Sequence, residues 1–166
     1  MREEGQAIFN TEAVCVLGPS ELALAKQRAA ESPTGRFRIC LHRDPSEPVQ
    51  EMVIASRRGS YGRPHRHSVP ASYVALDGAG ELLVFNDDGS LLSRMRLKPL
   101  DPSAAQCVRF EGGVWHAFRP LTRVAVVYET LASAFDPVTS NEWAPFAPDE
   151  DEPAAGNAWL DSLAPR

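Results

Sequence analysis

The chain has 166 residues, enough for one domain with its own core, and its 43% hydrophobic and 23% charged residues are the balance of an ordinary globular protein. A formal net charge of −5 gives no electrostatic support for a nucleic-acid partner, and no run approaches the roughly 18 apolar residues of a membrane span. Met1-Arg2-Glu3-Glu4-Gly5 lacks the apolar core of a signal peptide, and Cys15, Cys40 and Cys107 are isolated, so the expected setting is a reducing cytoplasm with the thiols as small buried hydrophobes.

In chain order, Ile8, Phe9, Val14, Val16 and Leu17 suggest a short strand covering a sheet edge. Gly18-Pro19-Ser20 before Glu21 is a helix start, and Leu22, Ala25, Ala29 and Ala30 recur at helical spacing, which predicts a helix over 20–31 ended by Ser32-Pro33. From Thr34 the period changes to two. Phe37, Ile39 and Leu41 alternate with Arg36, Arg38 and Cys40, the pattern of a half-buried strand. Further short strands follow near 52–56, 72–76, 81–85, 91–97, 106–110, 115–118 and 123–129, and Asn86-Asp87-Asp88-Gly89 is a hairpin signal because Asp-Gly favours the positive φ of tight turns. No βαβ rhythm appears, so the expected fold is all-β, an antiparallel sandwich or jelly-roll barrel. Residues 1–33 are read as a segment whose helix packs outside the β-domain, 34–130 as that domain, and 131–166 as an irregular tail wrapping it, with Trp143 and Phe146 as its packing residues.

Three of the four histidines lie in two segments, Gly62-Arg63-Pro64-His65-Arg66-His67 and Glu111-Gly112-Gly113-Val114-Trp115-His116. On a strand, residues two apart share a face, so His65 and His67 can converge on one metal ion, with His116 completing the set from another strand. Neutral imidazoles suit a divalent transition metal (Zn, Fe, Ni, Mn or Cu) and disfavour magnesium and calcium. Three protein ligands leave positions open for water or substrate.

Gly-x-x-His-x-His, Gly78 eleven residues on, and Gly113-x-x-His116 resemble the two motifs of the cupin superfamily. Together with Leu41-His42-Arg43-Asp44, Asp-Pro-x-x-Pro-Val-Gln at 44–50, Phe85-Asn86-Asp87-Asp88-Gly89 and Ala144-Pro145-Phe146-Ala147-Pro148, they are similar to the WbuC-type cupin metalloproteins, over about Leu22 to Leu163. The resemblance implies a cupin-type double-stranded β-helix, a metal site, frequent homodimers and an association with surface-polysaccharide metabolism. This sequence departs from the cupin pattern at the carboxylate ligand, whose position falls on Ala71 by one count and on Ser72 by the other. Glu111 stands where the second motif has proline. Either His42 or Glu111 is open as a replacement ligand.

Around the histidines, Tyr61 and Arg63 share their parity and are candidates for substrate binding, Arg63 as a clamp for a carboxylate or phosphate; the alternative is a surface arginine, since Pro64 interrupts the ladder. Tyr73 and His42 are candidate proton carriers, against core packing for the tyrosine and a strand-end position for the histidine. Two classes of function stay open: a metal-dependent enzyme acting on a small sugar-derived or acidic molecule, and a non-catalytic small-molecule binder with a degenerate site. Sheet edges that need cover add to the expectation of a homodimer.

Overall fold

Two-residue alternation builds most of the chain into two packed sheets; the structure, a computed structural model, describes residues 1–163, so 164–166 of the expected tail lie outside the described residues. The larger sheet contains β1 (Arg2–Glu4), β2 (Ala7–Phe9), β3 (Arg36–Cys40), β4 (Gln50–Arg57), β6 (Ala71–Asp77), β9 (Cys107–Phe110) and β11 (Val124–Leu131), in the spatial order β1-β2-β3-β4-β11-β6-β9. The smaller contains β5 (His65–Arg66), β7 (Gly80–Phe85), β8 (Leu91–Leu97), β10 (Trp115–Pro120) and β12 (Glu142–Trp143), in the order β12-β5-β10-β7-β8. Among the described residues, the named strands pair with one another antiparallel except β2 on β3. This is the expected jelly-roll sandwich, but the two sheets stay separate rather than closing into one barrel.

The core has three faces. Between the sheets, Ala71, Tyr73 and Ala75 of β6 meet Leu82 and Val84 of β7 and Leu97 of β8. Outside the larger sheet lies the helix α1 (Pro19–Glu31), which begins with Pro19 at its first position and with the Glu21 carboxylate accepting from the Gly18 N–H at 2.8 Å. It buries Ala25 and Ala29 against Phe37, Ile39, Val53 and Ala55; the small side chains let helix and sheet approach closely. Ser32 ends it because a residue before proline is pushed out of the α region. The alternation in β3 therefore sends Phe37 and Ile39 to the helix, and Arg36, Arg38 and Cys40 to the opposite face.

The third face is covered by the tail. Leu83, Phe85, Trp115 and Ala117, on the outer side of the smaller sheet, pack with Tyr61, Ala144, Phe146, Trp159 and Leu160. The tail is more regular than its prolines suggest. Glu142–Trp143 pairs with Arg66 and His65, and Pro153–Ser162 forms helix α2, 10 residues long, within the segment expected to be irregular. Gly156 sits inside that helix because a Cβ there would lie 2.4 Å from the Tyr61 ring. At the other end, only Ile8 and Phe9 of the expected N-terminal strand join the sheet; Val14 and Val16 are 75% and 70% exposed. No described helix is long and apolar enough to cross a membrane.

Candidate metal centre

The register of the smaller sheet creates the site. His65 on β5 and His116 on β10 are direct cross-strand partners, so both side chains leave the same face. Their ring centroids are 4.6 Å apart. His67 lies just past the end of β5, yet its ring still converges, with centroids 4.8 Å from His65 and 5.2 Å from His116. The glycine pair before His116 holds it there. Gly113, at φ +83°, donates its N–H to the His67 carbonyl at 2.8 Å, and a Cβ on Gly112 would lie 2.4 Å from the Ser68 carbonyl oxygen.

The tautomers follow from the hydrogen bonds. Nδ1 of His65, His67 and His116 lies 3.0, 3.0 and 2.9 Å from the carbonyls of Arg63, Ser140 and Val114. A carbonyl can only accept, so each Nδ1 carries the proton and each Nε2 presents a lone pair. Nε2 of His67 and of His116 is buried with no hydrogen-bond partner, an arrangement that costs free energy unless something accepts those lone pairs. The ligand atoms of the three histidines lie within 4.8 Å of one another. Burial, followed by the neighbouring His67, pulls the His65 pKa down to about 4, and burial lowers His116 well below the ordinary range. Neutral, Nδ1-anchored imidazoles with converging Nε2 atoms fit a divalent transition metal.

A carboxylate stands beside them that sequence reasoning missed. Glu129 on β11 is 5% exposed, and its Oε1 lies 3.8 Å from His67 Nε2. Its direct cross-strand partner is Tyr73. Burial raises the Glu129 pKa, while His67, Arg38 and the Tyr73 hydroxyl favour its ionised form; burial also raises Tyr73, which keeps the phenol protonated. Ala71, at the expected carboxylate position, faces the same core from β6 but is paired with Leu131, two residues further along β11. Glu129 thus brings a buried carboxylate beside His67 from the neighbouring strand. The signal was an acid inside the apolar run Val124-Ala125-Val126-Val127-Tyr128-Glu129, a burial that needs a partner.

The other named residues fall in different places. Glu111 is exposed and pairs with Arg109, away from the cluster. His42 is buried and lines the cavity, but its Nδ1 is held at 3.0 Å by the backbone of Glu51 and its ring packs edge-on to Phe9; it is outside the histidine cluster. Tyr61 does not line the cavity. Its ring lies against Gly156 of α2 and its hydroxyl donates to the Pro148 carbonyl at 2.9 Å; burial pushes its pKa up to about 12. Arg63 reaches the cavity wall, but its guanidinium is ion-paired with Asp149 and donates to the Ala144 carbonyl at 2.9 Å. It fastens the tail. Arg66 projects from the opposite face of β5, where it forks onto Glu142 and lies over Trp115 at 4.2 Å. Trp115 packs in the outer core, whereas Trp143 lines the cavity 5.4 Å from His65.

Above the histidines, between the sheets, opens a cavity of about 420 Å³. Its floor includes His65, His67, Tyr73 and Glu129; Met52, Ile54 and Leu131 form an apolar wall.

The family model described as Domain of unknown function (DUF6016) matches residues 19–97. No curated protein matches the sequence. Among solved structures, the chain is similar to a protein from Shewanella oneidensis, with a TM-score of 0.59 at 13% identity over 80% of this chain and 86% of that one. It is similar to a cupin-2 domain from Rhodospirillum rubrum, with a TM-score of 0.52 at 20% identity over 78% and 80% of the two chains. A third match is an oxalate oxidase in complex with the substrate analogue glycolate, with a TM-score of 0.53 at 14% identity over 71% of this chain and 59% of that chain. The two-sheet topology, the histidine pair facing His116 across adjacent strands, and these matches show that the chain has a cupin fold.

Proposed function

We propose that this chain is a cupin-fold metalloprotein in which His65, His67 and His116 hold one divalent transition metal, with Glu129 as the fourth donor, and that the cavity above the metal binds a small molecule for metal-dependent chemistry. The observation that carries this reading is the pair of buried, unpartnered Nε2 atoms on His67 and His116 beside a buried carboxylate. A metal ion held there would satisfy both nitrogens, with the Glu129 carboxylate beside His67. Bound there, it would supply Lewis-acid or redox chemistry to a ligand in the cavity. The chain's own residues do the rest. The carbonyls of Arg63, Ser140 and Val114 fix the imidazole orientations. The Tyr73 phenol, protonated and beside Glu129, is placed to give or hold a proton at its hydroxyl. Glu129 favours this enzymatic reading over a degenerate binding site, because the carboxylate that the motif lacks is present in space.

The resemblance to WbuC-type proteins supports the finer reading of a sugar-derived or acidic substrate linked to surface-polysaccharide metabolism. The test is competitive metal titration of Glu129→Gln beside the parent. The amide is near-isosteric but uncharged, so affinity should fall at least about tenfold, ~1.4 kcal/mol, and more for Mn²⁺ than for Zn²⁺ because the harder ion depends more on oxygen donors. Unchanged affinity for both ions would remove Glu129 from the coordination shell.

A further inference from the structure

The geometry points to Arg38 as the anchor for a ligand carboxylate: the cavity takes a small organic acid whose carboxylate lies between the Arg38 guanidinium and the metal centre and whose apolar body runs along Met52, Ile54 and Leu131. The inference names the substrate class for the site proposed above and rests on that reading for the metal pole.

Three arginines line the cavity, and two are already occupied. Arg36 is ion-paired with Glu150, and Arg63 with Asp149 and the Ala144 carbonyl. Arg38 differs. Among the described residues no carboxylate lies within salt-bridge distance of its guanidinium and its side chain makes no hydrogen bond, while its backbone is held in the sheet, the N–H donating to the Gln6 carbonyl at 3.0 Å. Its place is set by the fold. The β3 alternation puts Arg38 on the cavity face between Arg36 and Cys40, opposite the helix-packing face of Phe37 and Ile39, and its partner on β4 is Ile54, also in the wall. Its charge reaches the floor of the cavity, where it favours the ionised form of Glu129 and opposes protonation of His65.

The chemistry of the lining selects the ligand. A guanidinium offers a planar fork that matches a carboxylate with two parallel hydrogen bonds. A divalent metal with Glu129 as its one anionic donor, and Arg38 nearby, leaves excess positive charge that an anion offsets. The apolar lining of Met52, Ile54 and Leu131, with Phe9, Phe135 and Trp143, favours a ligand with an apolar body over a small hydrated inorganic anion. Arg38 is itself exposed and so accessible to an entering ligand.

The test uses benzoate, with benzyl alcohol and phenyl phosphate beside it, titrated calorimetrically into the parent, R38Q and R38K, each zinc-loaded and chelator-stripped. Zinc affinity is measured separately by chelator competition. The parent should bind benzoate, and R38Q should bind it at least tenfold more weakly in both forms, with R38K between. Benzyl alcohol should bind the parent no better than it binds R38Q, and R38K, which keeps the charge, should match the parent in zinc affinity. Equal benzoate affinity in the parent and R38Q, no benzoate binding by the parent, or an Arg38-dependent preference for phenyl phosphate over benzoate would each overturn the inference. If no protein takes zinc while the stripped parent still selects benzoate over benzyl alcohol through Arg38, the metal reading fails and the anion anchor stands.

Discussion

Replacing His116 with alanine is expected to weaken transition-metal binding by more than about 100-fold, beyond the 10–100-fold typical of losing an outer partner of a ligand. His116 is fully buried, with its ring 4.3 Å from that of Phe110 and its Nδ1 bonded to Val114, so no neighbouring donor can move into its place. The same change should cost the metal-free protein much less, because it also removes an unpartnered buried nitrogen. The two effects separate in thermal unfolding with and without zinc. Ligand binding to the native state stabilises by RT ln(1 + [L]/Kd), about 4 kcal/mol at a thousandfold excess over Kd and about 1.4 kcal/mol when Kd is a hundredfold weaker, so zinc should raise the Tm of His116→Ala by no more than about a third of the parent's shift. Arg66→Ala is the control; Arg66 projects from the other face of β5, and its loss should leave the zinc response intact.

The metal-stripped parent should show a matching pH dependence. His65 and His116 are held below the unfolded histidine value of about 6.5, so at lower pH the unfolded chain binds more protons than the native one. Stability from these groups is therefore full above about pH 6.5 and is lost as the pH falls toward the His65 value of about 4. Urea midpoints of stripped protein between pH 7 and 4.5 measure this, and His116→Ala should flatten the slope.

Tyr61→Ala is expected to destabilise the fold by about 3–5 kcal/mol, the usual cost of truncating a large buried aromatic side chain. Tyr61 is 2% exposed and is the point where the tail is seated: Gly156 of α2 lies against its ring, and its hydroxyl holds the Pro148 carbonyl. The tail also carries Ser140, whose carbonyl orients His67, and Trp143 beside His65. The change should therefore lower zinc affinity as well as the urea midpoint, although Tyr61 touches no metal ligand. Gly156→Ala attacks the same contact from the other side. The added methyl meets a ring that is pinned by its hydroxyl bond, and overpacking of this kind costs about 1–3 kcal/mol. A Tyr61→Ala urea midpoint equal to that of the parent would mean the tail is seated by other contacts.

These positions show which parts of the molecule are local enough to read from sequence. The alternation at 36–41 marks β3 and both of its faces, because each face answers to one layer of the fold. The Asp-Gly turn at 88–89 marks a hairpin, and Gly89 does adopt φ +81°. His65 and His67 declare themselves by spacing. Glu129 does not, because its meaning depends on which strand lies next to β6, and strand order is a long-range property. Arg38 lies on the face identified from alternation, but whether that face meets water or a cavity depends on the smaller sheet. The pairing of Glu142 and Trp143 with Arg66 and His65 is two residues long and flanked by prolines, so nothing local announces it. Tyr61 shares the parity of the histidines in sequence, yet its ring packs in the outer core while Arg63, two residues on, reaches the cavity wall.

The most direct test of the metal centre is anomalous scattering from crystals of untagged protein, recorded on both sides of the absorption edge of the metal found by elemental analysis. One peak per chain is predicted, about 2.1 Å from Nε2 of His65, His67 and His116, with a Glu129 carboxylate oxygen in the same shell. A chain that carries no metal, takes up none at micromolar concentrations, or gives its anomalous peak away from these three nitrogens would contradict the account.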